Sequence, residues 1–236
     1  MIDTIRSLVF WIIGGIYFVV FLVTAYILSF LFPLERIDPF LKALLRFFFK
    51  LILIKVDVSG LEHIQKNRSY LFMINHISFL DIPLVGGFIP VYLRGVEALW
   101  QHKWPLYGRV MGRLGNIPID RNNVHASVSA IRKAIAYTRN GKSLIIFPEG
   151  GRTLDGELKS FKKLPFHLAK KANLDLVPLG ICDLYQLNNA TSYSIRPGRI
   201  RLKIGEPIPQ SEIEEMDTLA LRDRVRSEIE AMISES

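Results

Sequence analysis

The chain has 236 residues, 50% hydrophobic and 22% charged, with 30 lysines and arginines against 22 acids for a net charge of +8. That length admits one compact domain with an appendage rather than two full domains, and the apolar share with a mean hydropathy of +0.24 excludes a disordered chain. A single cysteine, Cys182, excludes an internal disulfide framework and a cysteine-built metal site, and the positive balance favours an anionic partner: nucleic acid, a membrane surface or a phosphorylated substrate.

The apolar excess is local. Residues 8–32 carry no charge, and 21 of these 25 are hydrophobic; without them the hydrophobic share falls to roughly 46%, an ordinary globular value. As a helix they would reach ~37 Å against a hydrocarbon core of ~30 Å. A cleavable signal peptide, with an apolar region of only ~7–15 residues, does not match. A retained membrane anchor is expected, spanning the bilayer or re-entering on one side. In residues 40–54, Lys42, Arg46 and Lys50 follow at i+4 spacing among Leu, Ile and Phe. That pattern suits a helix at the lipid interface or, alternatively, one packed on the domain. Arg36, Lys42, Arg46, Lys50 and Lys55 follow the anchor and only Arg6 precedes it. The positive-inside rule therefore puts the rest on the cytoplasmic side of the inner membrane. Residues 1–54 are expected to form the anchor and interfacial helix, and residues 55–236 one α/β domain.

In that second part, short apolar runs alternate with amphipathic stretches, the pattern of an α/β domain. The sequence predicts strands over 55–58, 70–74, 91–94, 116–119, 144–147, 175–179 and 200–204. It predicts helices over 82–87, 106–114, 125–139, 165–172 and 212–233, the last opening on a capping box of Ser211 and Glu214. Residues 211–236 carry a net charge of −5 and residues 1–210 a net of +13. The bases are not interleaved with stacking aromatics and lie on no recognition helix, so nucleic acid is not expected as a partner.

In Asn75-His76-Ile77-Ser78-Phe79-Leu80-Asp81 the histidine follows an apolar strand, and the aspartate comes where a helix would begin. A tight turn would return the carboxylate to the imidazole, fix its tautomer and leave the other ring nitrogen to take a proton from a hydroxyl. Alone the spacing is weak, since roughly 0.2 such pairs arise by chance in a chain of this composition, and Asp81 as a plain helix N-cap is the simpler reading. Two further blocks end strands with cations: GNIPIDR, closing on Arg121, and FPEGGRT, with Glu149, Gly150, Gly151 and Arg152. Backbone N–H groups at a Gly-Gly turn approach an anion closely and a guanidinium grips phosphate oxygens in pairs. Arg121 and Arg152 thus suggest one phosphate site at the carboxyl edge of the sheet. LVPLGI, residues 176–181, reads as a buried strand supporting it. Cys182 reads as core. His63, His102, His125 and His167 lack a partnered setting, no spacing indicates a metal, and no cofactor is expected.

These four blocks, in this order, resemble the four motifs of the glycerophospholipid acyltransferases, and among them the bacterial 1-acylglycerol-3-phosphate O-acyltransferases. The resemblance implies an α/β acyltransferase domain behind an N-terminal helical membrane motif. It implies His76 as general base and Asp81 as its orienting partner, with Arg121, Glu149, Gly150 and Arg152 binding the acceptor and the arginines on its phosphate. The implied reaction moves a fatty acyl group from acyl-CoA or acyl carrier protein to the free sn-2 hydroxyl of 1-acylglycerol-3-phosphate, a lysophospholipid acceptor, giving phosphatidic acid at an anionic membrane. A thioester is activated enough for direct attack, in keeping with the lack of a Gly-x-Ser-x-Gly elbow. Three departures concern the acceptor. Gly151 stands where Thr or Ser is usual, Leu164 where Gly is common, and residues 97–101 lack a basic residue often found ahead of the second motif, leaving Arg94 or Lys103 as substitutes. Another lysophospholipid or an ornithine-type lipid is the alternative acceptor. Lys162 and Lys163 are either contacts for an anionic donor or lipid, or a solvated helix entry.

Overall fold

The computed structural model describes residues 2–120, 123–139 and 142–234. In chain order it has α1 (Ile2–Leu31), α2 (Leu34–Leu51), β1 (Ile54–Ser59), β2 (Tyr70–Ile74), α3 (Asp81–Phe88), β3 (Leu93–Ala98), α4 (Leu99–His102), α5 (Pro105–Leu114) and β4 (Ile117–Ile119). There follow α6 (Val124–Arg139), β5 (Ser143–Ile146), α7 (Leu164–Ala172), β6 (Asp175–Cys182), α8 (Leu184–Leu187), β7 (Gly198–Ile204), α9 (Gln210–Glu215) and α10 (Thr218–Ser234). The strands form one sheet in the order β1-β7-β6-β2-β5-β3-β4, with every neighbouring pair parallel except β6 and β7.

The sheet is covered on both faces, and β2 at its centre explains why. Successive strand residues point to opposite faces. Tyr70, Phe72 and Ile74 enter one core with Phe49 of α2 and Leu84 of α3. Leu71 and Met73 enter the other with Ala134 of α6, Phe166 of α7 and Val225 of α10. A third cluster joins Phe21 and Leu22 of α1, Leu41 of α2 and Val110 of α5, so the N-terminal helices are bonded to the domain by packing as well as by chain.

All seven predicted strands are present, with β3 displaced from 91–94 to Leu93–Ala98. The carbonyl of Val91 is taken by Lys42 Nζ at 2.9 Å, which removes it from the ladder, while Glu97 is accommodated in the strand by bonds from Tyr107 Oη and Asn116 Nδ2. The predicted helix over 212–233 is two helices. Asp217 Oδ1 accepts the N–H groups of Leu219 and Ala220 at 2.7 and 2.9 Å and so caps α10, whereas Ser211 lies inside α9 and is not a cap.

The stretch from Asp3 to Leu31 is long and apolar enough to cross a membrane by length and composition. It does not stand away from the domain. Ser7, Phe10, Phe21, Leu22, Ala25 and Ser29 are buried along one side, and the remaining surface is largely exposed apolar side chains. Ser7 Oγ exchanges hydrogen bonds with the backbone of Ile195, and the Arg113 guanidinium holds the side chain and carbonyl of Ser29 at 2.6 and 2.8 Å.

The basic stripe expected on α2 is corrected. Arg46 and Lys50 are exposed, but Lys42 is buried, ion-paired with Asp38. An i+4 step turns ~40° around a helix, so three such residues drift, and Lys42 falls on the flank that carries Leu41 into the core. Burial lowers its pKa, against the opposing pull of Asp38.

Candidate active site

β2 and β5 are adjacent and parallel, with Met73 opposite Ile146. Their carboxyl ends therefore deliver the first and third blocks to one place. His76 Nδ1 lies 2.6 Å from Asp81 Oδ2. Asp81 is 0% exposed, and its carboxylate also accepts the N–H of Ile77 at 2.7 Å and of Ser78 at 3.1 Å. The simple N-cap role is thus not the one observed: Asp81 bonds backward into the loop that carries His76, while Leu80 takes the N-cap position of α3. With Nδ1–H directed at a carboxylate, a neutral imidazole presents Nε2 as the acceptor. The ring also stacks on Phe147, centroids 4.1 Å apart.

The third block holds the first through its backbone. Glu149 Oε1 accepts the His76 N–H at 2.6 Å, and Oε2 accepts the Lys159 N–H at 3.0 Å. Thr153 N–H donates to the His76 carbonyl at 2.8 Å. Glu149 is 2% exposed; burial raises its carboxyl pKa, and the two N–H bonds oppose the rise. Both of its oxygens are therefore engaged by the protein itself. Gly150 has φ +75, a left-handed conformation natural to glycine, and its N–H closes the turn onto the Phe147 carbonyl. Arg152 is exposed in the loop beyond, and no ion pair holds it among the described residues. A side chain at Gly151 would meet only Lys159 Nζ, at 3.7 Å, so glycine is not demanded there by space. Lys162 and Lys163 are exposed as well.

The fourth block is tied in by a residue that sequence reasoning passed over. Asn75 donates through Nδ2 to the Ile181 carbonyl and accepts the Ile181 N–H on Oδ1, at 3.0 and 2.8 Å. This locks β6 to the end of β2 immediately before the histidine. Phe147 and Thr153 were also missed. Their signal was position alone, since they stand at the two ends of the third block.

Arg121 lies outside the described residues. β4, which precedes it, ends at Ile119, three strands across from β2 and so ~14 Å along the same edge. Arg94 is not a substitute base for the acceptor. It is buried between α2 and α5, bonded to the carbonyls of Leu93 and Leu114 and to Asp38 Oδ1. Lys103 is exposed. One further histidine does have a hydrogen-bond partner, contrary to expectation: His63 Nδ1 is 3.0 Å from the Ile204 carbonyl, whereas His102 Nε2, 3.3 Å from Glu97 Oε2, makes no hydrogen bond among the described residues. Cys182 is buried, as expected of a core residue.

Residues 55–182 match the family model described as Acyltransferase. A 1-acyl-sn-glycerol-3-phosphate acyltransferase of Limnanthes alba is 33% identical over 159 residues, 66% of this chain and 55% of its own. A protein of the same name from Borreliella burgdorferi is 34% identical over 139 residues, 58% of this chain and 53% of its own. The chain thus spans about half the length of these curated relatives. The crystal structure of the 1-acyl-sn-glycerophosphate (LPA) acyltransferase PlsC from Thermotoga maritima matches with a TM-score of 0.85 at 27% identity, covering 99% of this chain and 95% of that one. With a family model spanning more than half of its length and the whole fold shared with that enzyme, the chain belongs to the acyltransferase family.

Proposed function

We propose that this acyltransferase moves a fatty acyl group from a thioester to the sn-2 hydroxyl of 1-acylglycerol-3-phosphate, giving phosphatidic acid. The observation that carries the reading is the pair of His76 and Asp81, 2.6 Å apart, at the edge where the Gly150 turn and Arg152 also lie. His76 Nε2 takes the hydroxyl proton as the acceptor oxygen attacks the thioester carbonyl. The new C–O bond forms, the C–S bond breaks, and the departing thiolate receives the proton back from Nε2. Asp81 holds the ring and stabilises the imidazolium that forms between the two proton transfers.

Arg152 grips the acceptor phosphate from its exposed loop, with Arg121 as the second cation and the Gly150 turn offering close backbone approach. Glu149 serves the acceptor site indirectly, by fixing His76 and the loop. The names of the relatives support this acceptor. The donor is acyl-CoA or acyl carrier protein, each an anion suited to a chain whose first 210 residues carry a net +13.

Residues 1–54 bring residues 55–236 to the membrane. The outward surface of α1 is apolar, and that of α2 mixes Arg36, Phe40, Arg46, Phe47 and Lys50. α1 is held to the domain at Ser7 and again at Ser29, ~33 Å apart along the helix. A full crossing would draw Arg113 and the loop at Ile195 into hydrocarbon, so α1 lies in one leaflet, and the exposed Arg36, Arg46 and Lys50 of α2 assign it to the anionic cytoplasmic leaflet.

Purified protein given lysophosphatidic acid with matched acyl-CoA and acyl carrier protein donors should form phosphatidic acid, and His76→Ala should not. A clear preference for a phosphate-free lyso-ornithine lipid over lysophosphatidic acid would overturn the acceptor.

A further inference from the structure

We infer that α4 and its turn into α5 form a second membrane contact, seating Trp100 of α4 and Trp104 at the cap of α5, together the α4 pair, at the headgroup level of an anionic bilayer beside the catalytic edge; this rests on the membrane attachment proposed for α1 and α2. Trp100 is 55% and Trp104 49% exposed, and their rings meet edge to face at 5.4 Å. Two adjoining indoles are a large apolar surface to leave in water, whereas a ring with one polar N–H suits the boundary between headgroups and acyl chains.

The patch is packed onto α1 through one buried ring: Trp104 lies 5.9 Å from Tyr107, which is buried, and Tyr107 lies 6.1 Å from Phe18, which is exposed on α1. Its charge fits an anionic surface. Residues 99–119 contain Lys103, Arg109 and Arg113 and no acid, and Lys103 and Arg109 are exposed.

The turn is held in place rather than hinged. Gly108 N–H donates to the Trp104 carbonyl at 2.9 Å, and a Cβ at Gly108 would lie 1.9 Å from the His102 carbonyl oxygen, so α4 and α5 meet backbone to backbone. Tyr107 is fixed by its hydroxyl on Glu97 at 3.0 Å.

Its place in the fold gives the contact a purpose. α4 leaves the carboxyl end of β3, and β2, β5 and β3 are neighbouring parallel strands. α4 therefore begins at the sheet edge that carries His76, its strand lying two across from β2, or ~10 Å. With Trp11 of α1 against Phe79 in the loop between His76 and Asp81, ring centroids 4.9 Å apart, and α4 at the end of β3, the catalytic edge faces lipid, and a lipid acceptor reaches His76 without entering water.

The chain has three tryptophans, so Trp11→Phe leaves only the α4 pair to emit, and Trp100→Phe with Trp104→Phe leaves only Trp11 on α1. Each full-length protein is reconstituted into phosphatidylcholine and phosphatidylglycerol vesicles containing lipids brominated near the headgroup end of the acyl chain. Quenching of both proteins is expected. Quenching of Trp11 without the α4 pair would overturn the inference and leave the attachment through α1 standing; quenching of neither would overturn both. Trp100→Ser with Trp104→Ser should slow turnover of a long-chain acceptor in vesicles roughly tenfold, the loss expected from withdrawing two half-buried indoles, and spare a short-chain monomeric acceptor. Equal slowing of both would count against a membrane role. A concentration-dependent dimer lost in that double variant, with the α4 emission unquenched, would assign the patch to a second copy instead.

Discussion

Glu149 Oε1 accepts the backbone N–H of His76 at 2.6 Å across 73 residues of sequence, so the carboxylate of the third block sets the position of the base in the first. Glu149→Gln retains the shape, but an amide nitrogen cannot accept, and one N–H, of His76 or Lys159, is then left facing a donor. The expected loss is about 1–3 kcal/mol of stability, read by urea unfolding. It should come with at least tenfold lower kcat and a raised acceptor KM at unchanged donor KM, since the base and the loop that carries Arg152 both lose a tie. Unaltered kcat would remove Glu149 from the positioning of His76.

The raised carboxyl pKa of Glu149 has a pH signature. The native state holds its proton more tightly than the unfolded chain, so between the ordinary value of 4.5 and the raised one the native state binds more protons. Stability contributed by this group is therefore full below the ordinary value and falls as pH rises through the raised one. Denaturant midpoints measured from about pH 4 to about pH 7 should fall more, or rise less, with pH in the native protein than in Glu149→Gln, the difference between the two profiles being this group's share. Parallel profiles would place the raised value elsewhere.

Asp81→Asn separates orientation from basicity. The amide nitrogen would face the ring or the N–H groups of Ile77 and Ser78, all donors to the present carboxylate, and the favoured imidazole tautomer would reverse. A loss of roughly 10³–10⁴ in kcat is expected, with His76→Ala at or below that level, while both variants still float with vesicles because α1 and α2 are untouched. Activity within tenfold of the native protein in Asp81→Asn would oppose the mechanism.

Arg152 projects from its loop with no ion pair among the described residues, so its truncation leaves no partner stranded. Arg152→Ala should leave the fold intact and raise the acceptor KM at least tenfold, a charge-assisted bond to phosphate being worth about 1.5–3 kcal/mol, with the donor KM unchanged. Steady-state kinetics with each substrate varied in turn gives the answer, and an unmoved acceptor KM would assign the phosphate to other cations.

The central strands were legible because they are buried on both faces and read as apolar runs, as in residues 70–74 and 176–182, and β7 was legible by the alternation of apolar and basic residues. β3 is hard to place from sequence because Arg94, Gly95 and Glu97 interrupt its apolar pattern, and the partners of Glu97, Tyr107 and Asn116, come from a helix and a loop that only folding brings near. The spacing of His76 and Asp81 was visible, but its meaning depended on a turn that points the carboxylate backward. Glu149 was visible as a charged residue at a glycine turn; that both oxygens would be occupied by backbone N–H groups required the parallel register of β2 and β5. Arg94 and Lys42 read as available cations because nothing local in their own segments marks the shared burial against Asp38 that engages them.

That shared burial makes the strongest stability prediction. Asp38 faces two buried cations, Lys42 and Arg94, and it is the acid that joins α2 to β3. Asp38→Ala leaves both charges without their carboxylate in a desolvated place, and about 3–5 kcal/mol should be lost. Lys42→Met should cost much less, because it removes a charge whose own pKa is already lowered by burial and returns a similar apolar volume, while Arg94 keeps Asp38 paired. Urea unfolding of the two variants, with hydrogen exchange on the α2 amides, tests the asymmetry. If Lys42→Met is as damaging as Asp38→Ala, the lysine is a required partner in its own right, and the carboxylate is not the centre of the cluster.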